Sequence, residues 1–108
     1  MKKISLDEIE QQIDKAWSPV DVAEFNGQVL RVAIFEGEYH WHVHENEDEF
    51  FLIYKGEIII ETEEGDINLK AGQGTVIPKG LRHRPIAKEK SFVLMVEPEA
   101  LNSKGDDK

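Results

Sequence analysis

The residues best equipped for chemistry lie in the stretch "EYHWHVHENEDEFF" (residues 38–51), where His40, His42 and His44 fall at every second position and Glu45, Glu47, Asp48 and Glu49 follow. The fourth and last histidine, His83, stands downstream in "PKGLRHRP". On a strand, side chains alternate faces, so the three clustered imidazoles share one side and Tyr39, Trp41 and Val43 the other. Same-face neighbours are about 6.6 Å apart along a strand, close enough for two of them to reach one ion. Neutral imidazole is the commonest protein ligand for first-row transition metals. Glu49 follows His44 at a distance that lets a loop turn and a new strand begin, with its carboxylate aimed back. His83 arrives from elsewhere in the fold. Three imidazoles and a carboxylate form a mixed nitrogen and oxygen site, suited to Fe, Mn, Co, Ni, Cu or Zn rather than to Ca or Mg. Glu45, Glu47 and Asp48 read as a solvated loop. With no cysteine in the chain, thiolate ligation and disulfides are excluded. No Ser-His-Asp order, phosphate loop or dinucleotide fingerprint is present.

The elements that must position these residues are mostly strands. "SLDEIEQQIDKAW" reads as the one helix: Ser5 and Glu8 have capping-box spacing, and Leu6, Ile9, Ile13, Ala16 and Trp17 form a stripe that Pro19 terminates. From Val20 the pattern becomes β-rich. Asn26-Gly27 joins two runs as a tight hairpin, and Lys55-Gly56 and Glu64-Gly65-Asp66 mark further turns. "AGQGTVIPKG" frames a very short strand; "RPIA", the polar break "KEK" and "SFVLMVEP" close the regular part. Short strands with punctuated turns predict an all-β sandwich or barrel. Phe35, Phe51, Ile53, Ile58, Ile60, Val76, Phe92, Leu94 and Val96 are the expected core or barrel lining. Arg82 and Arg84 flank His83 and point away from it, toward surface or interface salt bridges.

The chain's 108 residues suffice for one domain, organised as an N-terminal helical segment (1–19), a barrel (20–100) and a flexible tail (101–108). A formal net charge of -9 repels phosphate backbones and anionic lipid, which argues against nucleic-acid and membrane partners. The N-terminus has no apolar run behind its lysines, so a cytoplasmic location is the expectation.

Taken together, these residues resemble the cupin superfamily, in its small single-domain, mannose-6-phosphate isomerase-like form. Gly37, His42, His44, Glu49 and Gly56 match the first cupin motif, with one residue fewer than usual between Gly37 and the first histidine. Gly72, Pro78, Gly80 and His83 match the second, and Ala87 stands where an asparagine is expected. The resemblance implies a double-stranded β-helix (jelly-roll) barrel, a divalent transition metal held by His42, His44, Glu49 and His83, and a homodimer. It further implies a metal-dependent dioxygenase or isomerase acting on a small oxygenated molecule; the alternative is a non-catalytic metal-binding, small-ligand-binding or sensor module. His40 is not used by the motif. It would line the substrate pocket, bind a ligand or shuttle protons, or else be an ordinary strand position turned off the shared face near Gly37.

Overall fold

The structure, a computed structural model, describes residues 1–100 and Gly105. The remainder of the expected flexible tail lies outside the described residues. One helix, α1 (Leu6–Gln12), precedes seven strands: β1 (Val20–Phe25), β2 (Gln28–Glu38), β3 (Glu49–Lys55), β4 (Glu57–Thr62), β5 (Ile67–Lys70), β6 (Gly74–Ile77) and β7 (His83–Pro98). All strand pairs are antiparallel, in the order β1-β2-β7-β3-β6, with β4 joined to β7 and β5 to β4. Buried Ala33, Phe35, Phe51, Ile53, Ile58, Ile60, Leu69, Ile77, Ala87, Val93 and Met95 form a single cluster. Strands β2 to β7 all contribute to it, so the sheet wraps around one core. This is the jelly-roll barrel expected from the sequence.

Strand β7 is the spine. Its first half pairs with β4, from Thr62↔His83 to Ile59↔Ile86, and its second half pairs with β3. Nearly its whole length runs beside β2. The polar "KEK" therefore does not break the strand as expected: Lys88–Lys90 lie exposed where β7 passes from one neighbour to the other. Ala87 is fully buried and pairs with Gly37. A methyl fits this core, whereas the asparagine usual in the motif would bury an amide needing partners.

The sequence also misplaces part of the core. Val76 is 55% exposed and Leu94 and Val96 are only half-buried, because Val93 and Met95 occupy the inner face of β7. An unbroken apolar run satisfies both registers, and only the alternation with Glu97 and Ser91 distinguishes them. The helix is shorter than its apolar stripe. Ser5 accepts a hydrogen bond from the Glu8 amide as its cap requires, but the helix stops at Gln12. Ala16 bridges Ile34 of β2 and the Trp17 amide donates to the Ile34 carbonyl at 2.8 Å, so sheet pairing overrides helical propensity there. On the sheet side, Tyr54 donates to Asp7 and Lys55 pairs with Glu10 at 2.7 Å, holding α1 against β3.

Two turns use glycine for stated reasons. Asn26 (φ 51°) and Gly27 (φ 75°) form the two-residue hairpin between β1 and β2. Gly56 (φ 94°) turns β3 into β4, and a Cβ there would lie 2.2 Å from the Ser91 hydroxyl. That hydroxyl is committed: it accepts from the Glu57 amide and donates toward the Glu57 and Glu89 carbonyls. Gly56→Ala is expected to cost about 2–4 kcal/mol through combined strain and collision. Urea unfolding would measure this; a loss of under about 0.5 kcal/mol would contradict it.

Candidate metal centre

The site begins with a backbone pairing. His42 and His83 exchange hydrogen bonds, amide to carbonyl, at 3.0 and 2.9 Å. They form an isolated antiparallel bridge outside the regular strand partners of the 39–48 segment. The histidine row is thus extended but not a ladder strand, as far as the described residues go. The Pro78–Leu81 loop is tied to the same segment, with the Gly80 amide donating to the His44 carbonyl at 2.8 Å and the Lys79 amide to Asp48 Oδ1 at 2.9 Å. Two chain segments nearly forty positions apart are so locked together through the candidate ligands and their immediate neighbours.

Their side chains converge. His42, His44, Glu49 and His83 are all buried, and one donor atom from each lies within 4.8 Å of the others. His42 Nδ1 contacts the His40 carbonyl at 3.0 Å and His83 Nδ1 the Leu81 carbonyl at 2.8 Å. A carbonyl can only accept, so both Nδ1 atoms carry the hydrogen and both Nε2 atoms present lone pairs, the form a metal ligand needs. Glu49 Oε1 stands 3.5 Å from His44 Nε2 and 3.9 Å from His83 Nε2. Buried Glu49 Oε1 and His83 Nε2 have no hydrogen-bond partner among the described residues. Orphaned donors in a dry interior are costly, and a cation among them would satisfy all of them at once. The residues present therefore fit a transition-metal ion.

Electrostatics agree. Burial lowers the His42 pKa to about 4, opposed by its carbonyl contact and reinforced by the neighbouring imidazoles. Burial lowers that of His83 as well. Both rings are neutral at pH 7. Glu49 is pushed well above the usual carboxylate range, first by burial, then by a hydrogen bond to Glu97 and by that residue's charge; Arg31 opposes the shift.

Of the predicted residues, the structure gathers His42, His44, Glu49 and His83 and leaves His40 outside the group. The His40 side chain is exposed, its ring 4.2 Å from Tyr39 and 5.3 Å from His42. The β2–β7 register shifts between Phe35 and Gly37, just ahead of this departure from the inward face. In the acidic run, Glu45 and Asp48 are exposed while Glu47 is half-buried, with its Oε2 enclosed and without a hydrogen-bond partner among the described residues. Arg84 pairs with Glu61 and Glu38 at 2.7 and 3.1 Å and, with Arg82, faces Trp41, so both arginines point away from the centre.

Two features escaped sequence reading. One is an aromatic wall: Trp17 stacks on Tyr39 at 4.7 Å and lies 4.6 Å from Phe35, and its indole donates to the Glu36 carbonyl. Trp17, Pro19, Phe35, Tyr39, Phe51, Pro85 and Met95 line a cavity of about 20 Å³ that also touches His42 and Glu49, with room for roughly one water. The other is Glu97, fully buried behind Glu49. Its inward place was readable in principle, since it continues the alternation of Val93 and Met95. Gly105 is buried with its Cα edge against the His42 side chain.

An antiparallel β-barrel with three imidazoles and a carboxyl converging inside it defines a class: small β-barrels able to hold a metal ion. The chain belongs to the cupin family, whose cupin domain model matches residues 30–97. It is 33% identical over 90 residues to the uncharacterized protein YdbB of Bacillus subtilis strain 168, covering 82% of this chain and 80% of that one. A cupin-2 domain protein from Shewanella frigidimarina NCIMB 400 superposes with a TM-score of 0.87 at 35% identity, covering 89% and 94% of the two chains. Hydroquinone 1,2-dioxygenase PnpCD, solved with Cd²⁺ and 4-hydroxybenzonitrile, shares the fold at 22% identity and a TM-score of 0.74, covering 94% and 74%. Among the described residues, no helix is long and apolar enough to cross a membrane.

The Glu49 shift carries a signed prediction. Folded Glu49 keeps its proton where the unfolded chain has lost it, so metal-free stability falls as pH rises above about 4.5 toward the raised folded value. His42 acts at the other end, and its contribution is lost as pH falls from 6.5 to about 4. In chelator, Glu49→Gln should therefore be more stable than the parent at pH 7.5 by at least ~1 kcal/mol and lose that advantage near pH 4.5. Urea melts at both pH values would test this. A variant less stable at pH 7.5 would contradict it.

Proposed function

We propose that the protein is a metal-dependent enzyme, a dioxygenase or isomerase of a small oxygenated molecule. The observation that carries the reading is the position of His42 and Glu49: each belongs to the ligand group and also borders the aromatic cavity. A substrate admitted there by movement of Trp17 and Tyr39 would therefore lie beside the ion. Four protein donors leave positions open on a five- or six-coordinate ion, and such an ion supplies Lewis acidity toward a bound oxygen. The metal is a divalent transition ion, drawn from Fe, Mn, Ni, Zn, Co or Cu.

The protein's own contribution is positional. The His40 and Leu81 carbonyls fix the tautomers of His42 and His83. Trp17, Phe35 and Tyr39 exclude water and favour a flat molecule. The Tyr39 hydroxyl, raised in pKa by burial, stays protonated through the neutral range and can both donate and accept a hydrogen bond there. His40, exposed beside Tyr39, stands where it can hydrogen-bond a ligand or exchange protons with solvent. Support from the fold comes from PnpCD, a dioxygenase on the same scaffold. The small cavity favours a second reading, a metal-binding or sensor module without turnover, unless Trp17 and Tyr39 move to admit a substrate.

Protein purified without chelator or added salt is expected to carry stoichiometric metal and to consume oxygen with a catechol-like or diketone substrate, or to isomerise a hydroxy-ketone. His44→Ala should abolish both metal and turnover. Metal retained without turnover in any screen would favour the binding module and overturn the enzyme.

The proposal includes a homodimer. Leu30, Val96, Phe50 and Val76 form one cross-strand row on the outer face of β2, β7, β3 and β6. Phe50 and Val76 are 36% and 55% exposed. In a chain of net charge -9, this uncharged row is where two copies could meet without repulsion. Light scattering should give twice the chain mass for the parent and the chain mass for Val76→Asp with Phe50→Asp. A monomeric parent would contradict this.

A further inference from the structure

Glu97 has no role in the ligand group, yet it is fully buried, at 0% exposure, on the inner face of β7. The β3–β7 register pairs Phe50 with Val96 and Phe51 with Met95, so Glu49 and Glu97 come next to each other one step beyond the last pair of that ladder. Burial, and after it the adjacent Glu97 carboxyl, raise the Glu49 pKa. On its other side Glu97 Oε1 accepts from Arg31 Nη1 at 2.6 Å. Arg31 is itself anchored: its Nε donates to Asp21 Oδ1 at 2.8 Å and its Nη2 to the Glu99 carbonyl at 3.4 Å. A chain of contacts thus runs from the edge strand β1, through β2 and β7, to the back of Glu49.

Packing does not explain an acid at this position. A buried ion pair loses hydration that its mutual attraction barely restores, and an apolar residue continuing the inward row of Val93 and Met95 would fill the space at less cost. The pair makes sense as an orienting device. Residues behind a metal ligand fix its direction, and losing them typically weakens metal binding about 10–100-fold.

We propose that Glu97 is the positioning residue of the centre: it aims the Glu49 carboxyl at His44 and His83 from behind, and Arg31 with Asp21 holds Glu97 in place. The assignment rests on the metal reading for its consequence but not for its geometry, so the test reads both. A glutamine at position 97 keeps the oxygen that accepts from Arg31 and presents amide hydrogens on its other side, toward Glu49.

The test titrates Co²⁺ into chelator-stripped protein, recording affinity and visible spectrum, beside crystal structures of the metal-free variants. Glu97→Gln should keep the parent's Co²⁺ affinity within about threefold and its spectrum. Glu97→Met should lose about 10–100-fold and change the spectrum. Its metal-free structure should show the Glu49 carboxyl turned from its place 3.5 Å from His44 Nε2. If Glu97→Met does not fold, Arg31→Met replaces it and should weaken Co²⁺ in the same direction. Parent-like affinity and an unmoved Glu49 in the methionine variant would overturn the proposal. A parent that binds no Co²⁺ would instead sink the metal reading, while the Glu49 position in the variant still decides whether Glu97 orients it.

Discussion

A carboxyl buried among three imidazoles, with its Oε1 lacking any hydrogen-bond partner among the described residues, is the constraint from which the rest of this molecule follows. Such a group is unfavourable in a barrel interior. Its charge is poorly solvated, so Glu49 holds its proton, and His42 and His83 shed theirs for the same reason. The result is a dry and under-bonded pocket whose donor atoms are already close together. A divalent ion relieves each of these costs, because it displaces the proton, balances the carboxylate and satisfies the ring nitrogens.

The fold supplies the restraint such a pocket needs. His42 and His83 are joined through their own backbones, so the two motif segments cannot separate without breaking the pair that carries the ligands. Strand β7 holds His83 at its start and Glu97 near its end, and it crosses from β4 to β3 between them. Ligand placement and the support behind Glu49 are therefore properties of one continuous strand. The aromatic wall comes from a different source. Trp17 leaves the helix and is pinned to β2 by a backbone and an indole hydrogen bond, which brings it over Phe35 and Tyr39 at the edge of the site.

Much of this was legible in the sequence for physical reasons. Alternation put His42 and His44 on one face, and the glycine- and proline-framed segment brought His83 to them. The Asn26-Gly27 hairpin and the Ser5 cap are local, and local chemistry decides them. What was not legible is non-local. Whether Val93 or Leu94 faces inward depends on the partner strand, because both are apolar. Trp17 follows a helical stripe but is claimed by the sheet. His40 fits the alternation, yet the register shift near Gly37 precedes its turn outward. Glu97 sat in plain view in the inward alternation, but its meaning required seeing Glu49 across the ladder.

The account stands on the four donors meeting at a single cation, and anomalous diffraction tests that most directly. Crystals soaked in a divalent transition-metal salt should show one strong peak at its absorption edge, about 2.0–2.2 Å from His42 Nε2, His83 Nε2, a His44 ring nitrogen and a Glu49 oxygen. No peak among these four residues, with the metal found only at surface carboxylates, would contradict it.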